Sequence, residues 1–226
     1  MVRAIEVRTA GLGGGSELRR EAGALTLGPR RVVPLCLLAH QQPRILSELA
    51  RQAARAAPRA HDGAFLLRRV ADPDISAMGP SARRVWDLLG AGPVAMEEIV
   101  ERHHLGLATA RLMERGLTVA AGFTPTDAAH LIGRQSGWSI EAARLGAMRA
   151  ARRLGHAEAP SRFAERVLDL AAVRTGELLL EAALAADGEA ADELGTGLIG
   201  RLVGRSLAAP EATPASLVRA TFELAL

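Results

Sequence analysis

Alternating apolar and polar side chains predict half-buried strands at Ala4–Thr9 and Ala24–Leu27, with Gly28-Pro29 closing the second. Between them, Gly11-Leu12-Gly13-Gly14-Gly15-Ser16 reads as a turn. The short apolar run Arg31–Ala39 is interrupted by Pro34, which has no N–H to donate, so it predicts an edge or bent strand. Ile45, Leu46, Leu49 and Ala53 recur at helical spacing within 43–57, with arginines on the outer face. A loop at Pro58–Gly63 leads to a predicted strand at Ala64–Val70.

The middle of the chain has its own pattern. Beyond the Asp72-Pro73 and Gly79-Pro80 breakers come three short amphipathic segments, Ser81–Leu89, Ala95–His103 and Leu107–Arg115, then an extended run at Leu117–Phe123. Three helices followed by a strand is the layout of a winged-helix module, with Leu112–Leu117 running from the third helix into the wing. The third segment offers a phosphate backbone only Arg111 and Arg115, beside Glu114, so the module reads as a packing or interaction unit and no nucleic-acid partner is expected. After Gly137 the chain is helical at Ser139–Leu154, Ser161–Ala183 and Leu194–Leu207, with a turn at Asp187-Gly188-Glu189. A Pro/Ala linker from Ala208 to Pro214 precedes a strand-like end at Ser216–Leu226.

Composition narrows the chemistry. The 226 residues are 49% hydrophobic, but only four Phe and two Trp are aromatic and there is no Tyr, so a core of Leu, Val, Ile and Ala is expected, in a helix-rich α/β fold. All 28 basic residues are Arg. Without Lys there is no P-loop lysine, Schiff-base lysine or Ser-Lys dyad. The sequence pI near 10.6 reflects the high pKa of arginine more than an excess of charge, because the net charge is only +3. The single Cys36 cannot form a disulfide within the chain and reads as buried packing, since no base or cation stands near it in sequence. With no signal peptide and no long apolar span, a reducing cytoplasm is the expected compartment, with no membrane partner.

Two stretches carry candidate chemistry. Gly13, Gly14, Gly15 and Ser16 allow the backbone N–H groups to converge on an anion, and equally serve a tight structural turn. In Thr124-Pro125-Thr126-Asp127, Thr124 as N-cap, Pro125 at the first helical position and Asp127 three residues after the cap make a helix start. Asp127 and His130 are three apart on that helix, where a carboxylate can orient an imidazole, so capping and catalysis are both open. His103-His104 lie about 100° apart on a helix and cannot chelate one metal together. A helix-end role suits them better. His40, His61 and His156 are isolated.

The run Val7–Glu17, followed by Gly28-Pro29-Arg30-Arg31-Val32-Val33-Pro34-Leu35, resembles the hydantoinase/oxoprolinase family, the A-type subunit of ATP-dependent enzymes that open hydantoins and oxoproline. Phe123–Gly133 is similar to that family's Thr-Asp-Ala segment. The resemblance implies part of an actin-like ATPase lobe of ribonuclease H-like fold: a glycine-rich β/α segment at 1–75, a winged-helix-like insertion at 76–123 and a helical part at 124–226. It implies ATP and Mg as cofactors, a small cyclic amide as substrate, and a B-type subunit or a missing lobe as partner. Gly13, Gly14, Gly15 and Ser16 would then face the cofactor, and Asp127 and His130 would be catalytic. The family's phosphate-binding Asp-x-Gly-Gly-Thr turns do not occur in this sequence, so the chain is expected to be an internal or truncated part, inactive in isolation. The alternative is a noncatalytic helical interaction module with a degenerate winged helix.

Overall fold

In the computed structural model, which describes residues 12–71, 73 and 78–186, Ser16–Glu21 (β1) and Ala24–Arg31 (β2) form an antiparallel hairpin. The expectations for Ala4–Thr9, for Asp187-Gly188-Glu189, for Leu194–Leu207 and for the tail from Ala208 lie outside the described residues. The turn joining the two strands is Ala22-Gly23, both at positive φ, whereas Gly13–Ser16 leads into β1. Nor does Gly28-Pro29 end the second strand, because Arg31 still pairs with Ser16. In a two-stranded ribbon every strand is an edge, so proline can sit there with its missing N–H turned away from the ladder. Only Leu18 of β1 is a buried apolar residue, which is why Glu17-Leu18-Arg19-Arg20-Glu21 carries so little strand signal.

Val33–Pro34 (β3), Phe65–Arg68 (β4), Val94–Ala95 (β5) and Thr118–Gly122 (β6) make a mixed sheet in the order β3-β6-β4-β5. β3 runs parallel to β6, and β4 is antiparallel to both β6 and β5. Pro34 lies in an edge strand, but the strand expected over Arg31–Ala39 ends with it, because Leu35 to Ala39 are helical and bury Leu35, Cys36, Leu38 and Ala39. The extended run after Leu117 is present but is no wing, because β6 has a paired strand on each side. The expected helix at Ala95–His103 is present over residues 96–102. Ala95 itself belongs to β5, which covers the free edge of β4, and the helix winds as a π turn at Glu98–Arg102, closed by His103 N–H on the Glu98 carbonyl at 3.1 Å.

The helices are Leu35–Gln41 (α1), Ile45–Ala53 (α2), Pro80–Leu88 (α3), Gly106–Glu114 (α4), Pro125–Leu131 (α5), Ile140–Arg153 (α6) and Pro160–Ala186 (α7). The chain divides into a unit of residues 13–168 and one of residues 1–12 and 169–226. In the second, the described helix has Thr175 Oγ1 donating to the Ala171 carbonyl at 2.7 Å. In the first, α6 packs against α1, α2 and α5. Its buried Ala142, Ala143, Ala147, Ala150 and Ala151 keep it slender enough for three neighbours. A β-carbon on Gly146 would lie 2.6 Å from Leu35 Cδ1, so the contact between α1 and α6 depends on that glycine. A second apolar cluster, Leu66, Val85, Trp86, Leu89, Ile99 and Leu112, joins β4 to α3 and α4. Each such fully buried side chain contributes roughly 1.5–3 kcal/mol relative to exposure.

An ionic network runs through the larger unit. Arg149 of α6, wholly buried, pairs with the buried Asp62. Arg55 bridges Asp62 at 2.8 Å and Glu97 at 2.7 Å, and Arg59 also pairs with Glu97. Asp62 further accepts the Arg59 backbone N–H at 2.9 Å, which closes the loop before β4.

Removing Arg149 takes one of two guanidinium partners from the buried Asp62 and leaves Arg55 as the other. Arg149→Met is therefore expected to destabilise in urea unfolding by less than the roughly 3–5 kcal/mol of a fully stranded charge, about 1–3 kcal/mol. Arg149→Met with Asp62→Asn should recover part of that loss, since Asn still accepts from the Arg59 N–H but carries no charge. A double variant as unstable as the single one would contradict the assignment.

Candidate functional site

β3 and β6 are parallel neighbours, and each runs directly into a helix, α1 or α5, so the two helix N-termini start from the same end of the sheet. Their first N–H groups need acceptors. Thr124, in extended conformation, supplies one: its Oγ1 accepts the Asp127 N–H at 3.3 Å. Asp127 answers with Oδ2, which accepts from the Thr124 N–H at 2.9 Å and the Thr124 hydroxyl at 2.8 Å. This is the capping arrangement read from the sequence.

The other carboxylate oxygen goes elsewhere. α1 follows Pro34, whose side chain offers no acceptor, and Asp127 Oδ1 takes the Cys36 N–H at 2.6 Å from 91 residues away. One carboxylate thus caps two helices. Complete burial pushes the Asp127 carboxyl above its ordinary pKa, and the Cys36 and Thr124 donors pull it part of the way back. Burial likewise raises the pKa of the Cys36 thiol far above its usual range, with the Asp127 charge adding to the effect. Cys36 is a packed, unreactive thiol, as its sequence setting implied.

Asp127 and His130 do not pair. Both Asp127 oxygens are engaged with Cys36 and Thr124, while His130 Nδ1 lies 2.9 Å from the Thr126 carbonyl oxygen. That oxygen can only accept, so Nδ1 is the donor in this contact. Nε2 is buried with no hydrogen-bond partner among the described residues. The ring stacks on Trp138, centroids 5.0 Å apart and planes 7° from parallel. The half-exposed Trp138 carried no periodic or motif signal, and its place over His130 follows from the fold alone.

The glycine turn meets this helix start. Gly13 N–H donates to Ser16 Oγ and Ser16 N–H to the Gly13 carbonyl, both at 2.9 Å, and Ser16 is fully buried. Val32 N–H donates to the Gly15 carbonyl at 2.8 Å, and Thr126 N–H to the Gly14 carbonyl at 3.0 Å. A β-carbon on Gly14 would collide with Thr126 Oγ1, and one on Gly15 would come within 3.0 Å of the Val32 carbonyl oxygen. Close approach to α5 therefore accounts for Gly14, and Gly13, Gly15 and Ser16 hold the turn closed. The two candidate stretches, Gly13–Ser16 and Thr124–His130, are neighbours in space.

Among the described residues no group of three or more His, Cys, Asp or Glu side chains is placed to hold a metal ion. His103 and His104 lie at and just beyond the end of the π turn. Comparison of the chain with protein-family models, with curated proteins and with solved structures finds no match.

Gly14→Ala is expected to destabilise the chain by about 1–3 kcal/mol through overpacking. Thr126→Ala should restore much of this when combined with it, because the obstructing atom is the Thr126 hydroxyl; a purely additive double variant in thermal unfolding would refute the contact. Cys36 in the native chain should resist iodoacetamide at neutral pH and react once the chain is denatured. Rapid modification of the folded protein would show that the thiol is neither buried nor raised in pKa.

Proposed function

We propose that this chain is a segment of an ATP-dependent cyclic-amide hydrolase of the hydantoinase/oxoprolinase type. The observation that carries the reading is the contact between the two stretches that resemble that family: far apart in sequence, they meet through the Thr126 N–H and the Gly14 carbonyl at 3.0 Å. In this reading Asp127 is a positioning residue that fixes the start of α5. His130 is the candidate proton acceptor toward a small cyclic amide, because Nδ1 is held by the Thr126 carbonyl and Nε2 is left without a hydrogen-bond partner among the described residues. Trp138 stacks on the face of that nitrogen's ring and holds its orientation.

ATP, in such enzymes, activates the amide by phosphorylation. The residues described do not fit Mg-ATP: there is no Asp-x-Gly-Gly-Thr turn and no acidic cluster, and the Gly13 and Ser16 N–H groups of the glycine turn are spent on internal bonds. The nucleotide would be held by another lobe or a B-type partner subunit. The purified chain is accordingly expected to release no phosphate from Mg-ATP above background. Mixed with a separately produced nucleotide-binding lobe of that family, it should form a stoichiometric complex that opens hydantoin or 5-oxoproline with ATP. His130→Gln should abolish turnover in that complex while leaving its assembly intact. Failure to assemble, or full activity of His130→Gln, would refute the reading.

A further inference from the structure

Two depressions meet at the corner Met78–Ser81, where α3 begins. One, of about 660 Å³, follows α3 past Arg84 and Asp87. The other, of about 580 Å³, lies along α4 and is lined by no carboxylate among the described residues. Its floor is apolar, made by Met78, Leu105, Ala108 and Leu112. Leu107, Arg111 and Arg115 recur every four residues and so form a stripe along one side. Leu107 is 70% exposed, the most exposed of the large apolar side chains among the described residues. The Arg111 and Arg115 side chains make no hydrogen bond or ion pair among the described residues, and the His104 imidazole adds to the rim.

We infer that this groove docks an acidic amphipathic helix of a partner protein, with apolar side chains on Leu107 and the floor and carboxylates on Arg111 and Arg115. An open trough along a helix, apolar below and basic at the side, matches the apolar stripe and charged flank of such a segment. The charge pattern selects among occupants. Duplex DNA would set phosphates against an exposed leucine and an apolar floor, with two arginines to neutralise them. A second copy of this chain meeting the same face in two-fold symmetry would bring arginines against arginines. An acidic helix satisfies both the leucine and the guanidinium groups. The inference is independent of the hydrolase reading, since none of these residues belongs to the Gly13–Ser16 or Thr124–His130 site.

The test uses the full chain and a fluorescein-labelled four-turn peptide of Leu, Ala and Glu in amphipathic order, with a shuffled peptide of the same composition as control. Saturable binding of the ordered peptide is expected, weakened at least roughly tenfold by Arg111→Glu with Arg115→Glu and by added salt. Leu107→Glu should abolish it, and because that side chain is exposed, the variant should keep the circular dichroism and melting temperature of the parent. Equal binding of the shuffled peptide would reduce the groove to unspecific charge and overturn the proposal. So would absence of binding, tighter binding of duplex DNA than of the peptide, or a dimer of the free chain that Leu107→Glu dissociates.

Discussion

Asp127 is the constraint on which the larger unit depends. A parallel pair of short strands places two helix starts side by side, and a proline at the mouth of the first leaves it without a cap of its own. The second helix carries the acid that serves both. A buried carboxylate is unfavourable unless its lone pairs are met, and three donors from Thr124 and Cys36 meet them. The same side chain that finishes α5 fixes where α1 must begin, and with it the packing of both helices on α6.

A second constraint, the arginine network, joins parts that apolar packing does not. Arg149 comes from the alanine-rich α6, Asp62 and Arg55 from the connection between α2 and β4, and Glu97 from the stretch after β5. Buried ion pairs contribute little net stability, but they are strict about geometry. Their effect is to hold the irregular chain around Pro58–Gly63 against a regular helix, so that β4 enters the sheet at one register.

What the sequence revealed follows from which signals are local. The Thr124-Pro125-Thr126-Asp127 start was legible because capping is settled within four residues, and the helices at 43–57, 81–89, 107–115 and 139–154 because one-sided burial imprints a period. The Asp127–Cys36 bond was not, since nothing in either neighbourhood names a partner 91 residues away. Arg149 carried no signal in the sequence, and only the fold reveals that it is wholly buried. Of the β1–β2 hairpin, Ala24–Leu27 was legible from its alternation, whereas β1 was hidden because a ribbon covered on one face needs few apolar residues. At Val94–Ala95 two residues are too few to show alternation, so the preference of the following stretch for helix prevailed in the reading. At the site, proximity of Asp127 and His130 was legible but their lack of pairing was not, because competing partners came from Cys36 and from the Thr126 carbonyl.

The shared cap also sets an order on biosynthesis. As the chain leaves the ribosome, Leu35–Gln41 emerges long before residue 127 and before β6, the strand beside which it is anchored. Until then α1 is a seven-residue helix without a cap, too short to persist in water, and Leu35, Cys36, Leu38 and Ala39 have no α6 to cover them. The first third of the chain must therefore wait in a sticky, unfinished state. A pause or truncation before Asp127 would leave a nascent product prone to aggregate, whereas a break after α6 would leave both ends of the shared cap in place.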